Sequence, residues 1–144
     1  MKTYLSIGCM SGTSLDGLDL VACRLTFDSS WKFEVLKAVT IPYSHKWVSK
    51  LSNAAELNAL DLVLLNNEYG KFIGKQVAEF CSDLPEKPDL VSSHGHTVFH
   101  RPQERLTLQI GNGAAIAAYS GLPTACDFRS LDVALKGQGA PLVP

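Results

Sequence analysis

The sequence has almost no excess charge of either sign. Its 13 Lys and Arg meet 14 Asp and Glu, giving a formal net charge of −1 at pH 7. A chain this neutral carries no global field to draw nucleic acid or an anionic membrane, so a charged ligand must be met by a local site. No apolar run approaches the roughly 20 residues of a membrane-spanning helix. No apolar leader follows Met1-Lys2-Thr3-Tyr4-Leu5-Ser6, so no export signal is expected. Cys9, Cys23, Cys81 and Cys126 are far apart and form no CxxC pair, which argues against a zinc framework. No glycine loop is followed by Gly-Lys-Ser/Thr, so there is no Walker A loop. Internal repeats and low-complexity tracts are missing too. These absences together predict a cytoplasmic protein with reduced thiols.

What is present is enough to build one core. The chain has 144 residues, 46% of them hydrophobic and 19% charged. That is the composition and length of a single folded domain. Tyr4 to Cys9 reads as a buried strand entering a tight turn at Ser11-Gly12-Thr13-Ser14. Gly17 to Thr26 alternates as a second strand, and Lys32 to Ile41 is rich in β formers as a third. The three predict an antiparallel meander. From Ser52-Asn53 to Cys81 the residues Leu57, Leu60, Leu64, Tyr69, Phe72, Val77 and Phe80 recur at helical spacing. They predict one long amphipathic core helix with a kink near Gly70 or Gly74. Asp89 to Ser93 reads as a strand, Val98 to Pro102 as a loop and Leu106 to Ile110 as a strand. Gly111 to Ser120 reads as a helix capped by Gly121, Pro123 to Phe128 as a strand, and the tail from Arg129 as loop. The order predicts an α/β fold with a mixed five- or six-stranded sheet and flanking helices. The glycine-rich apolar ending, Gly137 to Pro144, reads as a chain cut before its next unit.

Four stretches carry polar chemistry. Ser11 to Gly17 joins two strands with glycines, hydroxyls and the carboxylate of Asp16. Such a turn can aim several N–H groups at one anion and hold Mg²⁺ through the carboxylate, or it can be an ordinary polar hairpin turn. Ser93-His94-Gly95-His96-Thr97 lies at a strand's carboxyl end, where ligands gather in open α/β sheets. Its imidazoles, with His100, suit substrate binding, acid–base work or metal, or a capped strand end with a surface histidine. Asp127-Phe128-Arg129 follows another strand, so Arg129 can clamp an anion or pair with Asp127 or Asp132. Gly111-Asn112-Gly113 opens a helix, either as an anion site or as a tight turn.

These runs, in order, resemble the anhydro-N-acetylmuramic acid kinases. Ile7 to Asp19, Ser93 to Pro102, Thr107 to Gly111, and Asp127 to Arg129 through Gly137 to Pro144 carry the likeness. The resemblance implies an enzyme of peptidoglycan recycling that uses ATP, Mg²⁺ and water to convert 1,6-anhydro-N-acetylmuramic acid to N-acetylmuramic acid 6-phosphate. It implies the actin-like, hexokinase-like (ribonuclease H-like) fold, in which two lobes, each with a βββαβαβα core, close over a cleft. Residues 1–144 then correspond to the N-terminal lobe of a protein more than twice as long. Gly12, Thr13, Ser14, Leu15, Asp16, Gly17, Leu18 and Asp19 match the phosphate loop, with Asp16 as a metal candidate. His94, His96, Thr97, Arg129, Gln138 and Gly139 match the sugar-facing surface. The catalytic base is expected downstream of Pro144, so the chain alone is expected to be inactive. Its expected partners are the amino sugar and ATP, with a homodimer open and neither nucleic acid nor membrane. His96 stands where the family usually has Gln, and Leu131 and Lys136 replace the usual arginine and glycine. The alternatives are a non-catalytic actin-like nucleotide-binding or assembly module, and a metal-dependent hydrolase using His94, His96 and His100.

Overall fold

A computed structural model describes residues 1–140. Three long strands open it: β1 (Lys2–Ser11), β2 (Gly17–Asp28) and β3 (Ser30–Pro42). They form the antiparallel meander that their alternation predicts, with Ile7 opposite Ala22 and Cys9 opposite Leu20. Leu5, Ile7 and Cys9 of β1 and Leu18, Leu20 and Ala22 of β2 share one face and are buried. Two shorter strands, β4 (Leu90–Ser93) and β7 (Thr124–Cys126), run parallel to β1. The sheet is therefore mixed and five-stranded, in the order β3-β2-β1-β4-β7.

The helical reading of residues 52–81 needs correction at its start. Two helices and a short 3₁₀ turn occupy this region. α1 (His45–Ser52) begins at Ser44, whose hydroxyl accepts from the Trp47 amide. α2 (Ala59–Cys81) begins at Asn58, whose side chain accepts from the Asp61 amide at 3.0 Å. This is the side-chain cap that satisfies an orphan amide of the first turn. The buried stripe of α2 is Leu65, Tyr69, Ile73, Val77 and Phe80, while Leu60, Val63 and Leu64 are exposed. Expected kink sites Gly70 and Gly74 lie inside one continuous helix. They serve close approach: a Cβ on Gly70 would lie 2.6 Å from the Asn112 carbonyl oxygen, and one on Gly74 would lie 2.8 Å from that of Ile116. So α3 (Gly113–Ser120) packs backbone-close on α2, capped by Asn112 at its start and by left-handed Gly121 at its end.

Two further expectations fail. Residues 98–102 are not loop, because β5 (His96–Arg101) pairs with β6 (Leu106–Ile110) as a separate two-stranded ribbon. Nor is the tail all loop, since α4 (Ser130–Ala134) forms one short turn of helix. Residues 141–144, the end of the glycine-rich motif, lie outside the described residues. Among the described residues no helix is long and apolar enough to cross a membrane.

Candidate functional site

Because β1, β4 and β7 are parallel, their carboxyl ends lie along one edge of the sheet. From that edge leave the loop after Ser11, the His94–Gly95 turn and the Asp127–Arg129 segment. Three of the four polar stretches are thus assembled by topology alone, where open α/β sheets place their ligands.

The first loop is held from below and from within. Ser11 is buried, and its hydroxyl accepts from Tyr43 Oη at 2.8 Å; Tyr43 Oη in turn lies 2.5 Å from Tyr69 Oη. Burial pushes both phenols up, out of reach of ionisation. Asp16 Oδ1 accepts from Ser14 Oγ at 2.7 Å and from the Gly17 amide at 3.1 Å. The Ser14 hydroxyl, above all, holds the Asp16 carboxyl below its usual range. Leu15 sits at φ +58°, a left-handed conformation that a branched side chain rarely adopts. Such strain is typical of ligand-binding turns, where the surroundings enforce it. Gly17 cannot be replaced, since a Cβ would lie 2.6 Å from the Ile41 carbonyl oxygen.

The eight residues matched to phosphate therefore separate. Leu18 is 1% exposed and belongs to the core. Asp19 stands on the opposite sheet face, accepting from Thr40 Oγ1 at 2.5 Å. The Gly17 amide is occupied by Asp16. The half-buried Leu15 side chain packs against the core, its amide donates to the Gly12 carbonyl at 3.4 Å, and the Ser14 hydroxyl is given to Asp16, which leaves the Gly12 amide and the exposed Thr13 hydroxyl.

The second cluster is built on His94. Its Nδ1–H donates to the Gly95 carbonyl at 2.9 Å, which leaves Nε2 as an acceptor for Arg129 Nε–H at 2.9 Å. Burial, and then the Arg129 charge, hold the imidazole below its usual pKa. Arg129 also donates to the Gly139 carbonyl. Asp132 Oδ2 accepts from the Gly139 amide at 2.7 Å, and the Asp132 carbonyl accepts from the Gly137 amide at 2.7 Å. Gly137 has no room for a side chain, because a Cβ would run into the Asp132 carboxylate. The expected pairing of Arg129 with Asp127 or Asp132 is not what these carboxylates do. Asp127 accepts from Ser130, and Asp132 holds the glycine loop.

His94, Arg129 and Gly139 thus come together, with exposed Gln138 on the same loop. Thr97 accepts from Gln109 Nε2 at 3.4 Å on the ribbon. His96 turns elsewhere: it is 5% exposed and lines a cavity of about 290 Å³ with Thr13 and Leu15 of the first loop. Burial, and then the neighbouring His94, lower its pKa. His100 is exposed, with Nδ1 3.2 Å from Thr107 Oγ1. Among the described residues, no three His, Cys, Asp or Glu side chains are grouped to hold a metal.

Sequence reading missed three participants. Tyr69 read only as one residue of the core stripe and Tyr43 drew no reading, and only the fold brings their hydroxyls together at Ser11. Asp132 read as a surface partner for Arg129. Its spacing of five from Gly137 was the one local signal.

A family model described as anhydro-N-acetylmuramic acid kinase matches residues 4–144. Curated proteins with that description are similar over nearly the whole chain. The one from Pseudoalteromonas translucida is 39% identical over 96% of this chain and 38% of its own length. That from Bacillus thuringiensis subsp. konkukian is 36% identical over 96% and 39%. That from Microcystis aeruginosa is 39% identical over 97% and 39%. The chain spans about two-fifths of the length of these relatives.

Proposed function

Because this chain belongs to the anhydro-N-acetylmuramic acid kinase family, we propose that residues 1–144 are the nucleotide- and sugar-facing lobe of a two-lobed ATP-dependent kinase. The reaction converts 1,6-anhydro-N-acetylmuramic acid and water to N-acetylmuramic acid 6-phosphate, in cytoplasmic peptidoglycan recycling. The observation that carries the reading is the placement of the strained 12–16 loop and the His94–Arg129–Gly139 cluster on one edge of the sheet. Phosphoryl transfer asks for positioning and charge stabilisation, and both loops supply fixed donors there.

Gly12 would offer its backbone N–H to the phosphates and Thr13 a neutral hydroxyl, while the Leu15 amide and the Ser14 hydroxyl, given to the Gly12 carbonyl and to Asp16, would hold the turn in shape. When bound, Mg-ATP brings the phosphoryl group and the charge neutralisation that transfer requires. Asp16 fits a supporting role. Its Oδ1 fixes the turn, and the residue is exposed, so a hydrated Mg²⁺ would be met through water. Arg129, fixed by His94 and Gly139, keeps a guanidinium at the sugar side. Water adds at C1 as the C1–O6 bond breaks, and O6 takes the phosphoryl group. The proton lost by water needs a base. Asp16, Asp19, Asp127 and Asp132 are all engaged, by Ser14 and Gly17, Thr40, Ser130 and Gly139 respectively. We assign the base to the polypeptide that follows this segment in the full-length protein.

The test is ADP release by the full-length protein with Mg-ATP and the anhydro sugar, with mass analysis in ¹⁸O water. The expected product gains one HPO₃ and one H₂O, with the label at C1. Phosphorylation without water addition, or ADP release that ignores the sugar, refutes the reading.

A further inference from the structure

A cavity of about 490 Å³ lies at the carboxyl ends of β4 and β7, between the β5–β6 ribbon and the start of α3. Ser93 lines it while being only 1% exposed, and its hydroxyl has no hydrogen-bond partner among the described residues. A buried hydroxyl left unmet is uncommon and calls for an explanation. Gln109 lines the same cavity. Its amide nitrogen donates to Thr107 Oγ1 at 2.9 Å, yet its Oε1 is buried without a partner. The first turn of α3 adds donors. Asn112 takes the Ala115 and Ile116 amides, and the Gly113 and Ala114 amides precede any intrahelical acceptor.

The cavity is therefore short of both an acceptor and a donor. A ligand must accept from Ser93 and the first-turn amides, and donate to Gln109. Leu108, Ala114 and Ala117 give the wall a small apolar side. No Lys or Arg lines it, and the Asp127 carboxylate does, so a phosphate or carboxylate is poorly suited. A secondary amide bearing a methyl group meets all these demands: carbonyl, N–H and methyl. We propose that this cavity recognises the acetamido group of an N-acetylated amino sugar through Ser93, Gln109 and the first turn of α3. The proposal rests on the kinase reading for the sugar itself, which the neighbouring His94 cluster would face.

The test is a titration of the ¹⁵N-labelled chain with 1,6-anhydro-N-acetylmuramic acid and with its free-amine analogue. The acetylated sugar is expected to move the Gly113, Ala114 and Gln109 side-chain amide signals, and the amine to leave them in place. Ser93→Ala should weaken the acetylated sugar about five- to tenfold, the loss of one neutral hydrogen bond. It should leave the amine's affinity unchanged. The same variant should melt no lower than wild type, because it deletes an unmet polar group, and that separates contact from damage. Equal affinity for both sugars overturns the proposal. So does an acetylated sugar that moves only His94, Thr97 and Arg129 signals, which leaves the kinase reading standing. No response to either sugar overturns the subsite, and if ATP is also without effect, the kinase reading falls with it.

Discussion

Arg129 reaches back 35 residues to place its Nε–H 2.9 Å from His94 Nε2. The contact requires a neutral imidazole, since protonation would set one N–H against another beside a guanidinium. With its pKa lowered from 6.5 by burial and by Arg129, His94 binds a proton more readily when unfolded. Stability is then full above pH 6.5 and is lost as the pH falls through the folded-state value. His96, lowered chiefly by burial, acts in the same direction. Thermal unfolding should show Tm falling below pH 6.5, and His94→Gln should flatten that slope. A slope unchanged in the variant would place the titration elsewhere.

Arg129→Ala removes a charged donor from His94 and Gly139 at once. The loss is worth roughly 1.5–3 kcal/mol, about ten- to hundredfold in affinity if the sugar shares the cluster. Sugar titration of the variant, with its Tm as control, checks this. Wild-type affinity would refute the assignment, and collapse of the fold would make Arg129 purely structural.

The Asp132–Gly137 contact predicts a non-additive pair. Gly137→Ala forces a methyl into the Asp132 carboxylate and should destabilise by about 1–3 kcal/mol. Asp132→Ala loses the Gly139 acceptor but opens that space. In the double mutant the alanine at 137 should cost far less, giving a coupling energy near 1 kcal/mol or more by urea unfolding. Strict additivity would refute the contact.

Lys136 stands at φ +74°, where the resembled family usually has glycine. A left-handed lysine costs roughly 1–2 kcal/mol of backbone strain, partly offset by glycine's freedom when unfolded. Lys136→Gly should therefore raise stability by about 0.5–1 kcal/mol, read from the urea midpoint. A lower midpoint would mean that the lysine side chain contributes more than its backbone loses.

The long strands were legible because their alternation is strong, although which face of β2 meets the core, that of Leu18, Leu20 and Ala22, came only with the fold. β5 was not, since Phe99 pairs only in an isolated ribbon, Val98 is skipped at its register shift, and Pro102 suggested a loop. α1 was hidden because its Ser44 cap and Trp47, Val48, Leu51 face follow Pro42 closely, and the stronger stripe of α2 drew the helix start to Ser52. Within the site, strand ends marked His94 and Arg129 as candidates. Their mutual bond spans 35 residues and leaves no local trace. The unmet Ser93 hydroxyl was equally unreadable, for in sequence it is one more strand residue.

The loop anchor yields a further prediction. Tyr43 donates to Ser11 while touching Tyr69, so the strained 12–16 turn rests on a buried hydroxyl chain. Tyr43→Phe leaves Ser11 Oγ unmet and should cost about 1–3 kcal/mol of stability. Because the loop it supports is read as the phosphate cradle, ATP affinity should fall as well, while the His94–Arg129–Gly139 cluster is untouched. Gly12→Val provides the comparison, since it crowds the turn, where a Cβ lies 3.1 Å from Ser14 Oγ, without disturbing the anchor. It should lower ATP affinity at unchanged Tm. The isolated chain should bind nucleotide weakly and not turn over, Asp16, Asp19, Asp127 and Asp132 being engaged and a positioned base being worth about 10²–10⁴-fold in rate. ATP titration and ADP-release assays on wild type, Tyr43→Phe and Gly12→Val decide it. Equal ATP affinity in all three would remove the loop from nucleotide binding. Turnover by the 144-residue chain within tenfold of the full-length protein would place the base among residues already described.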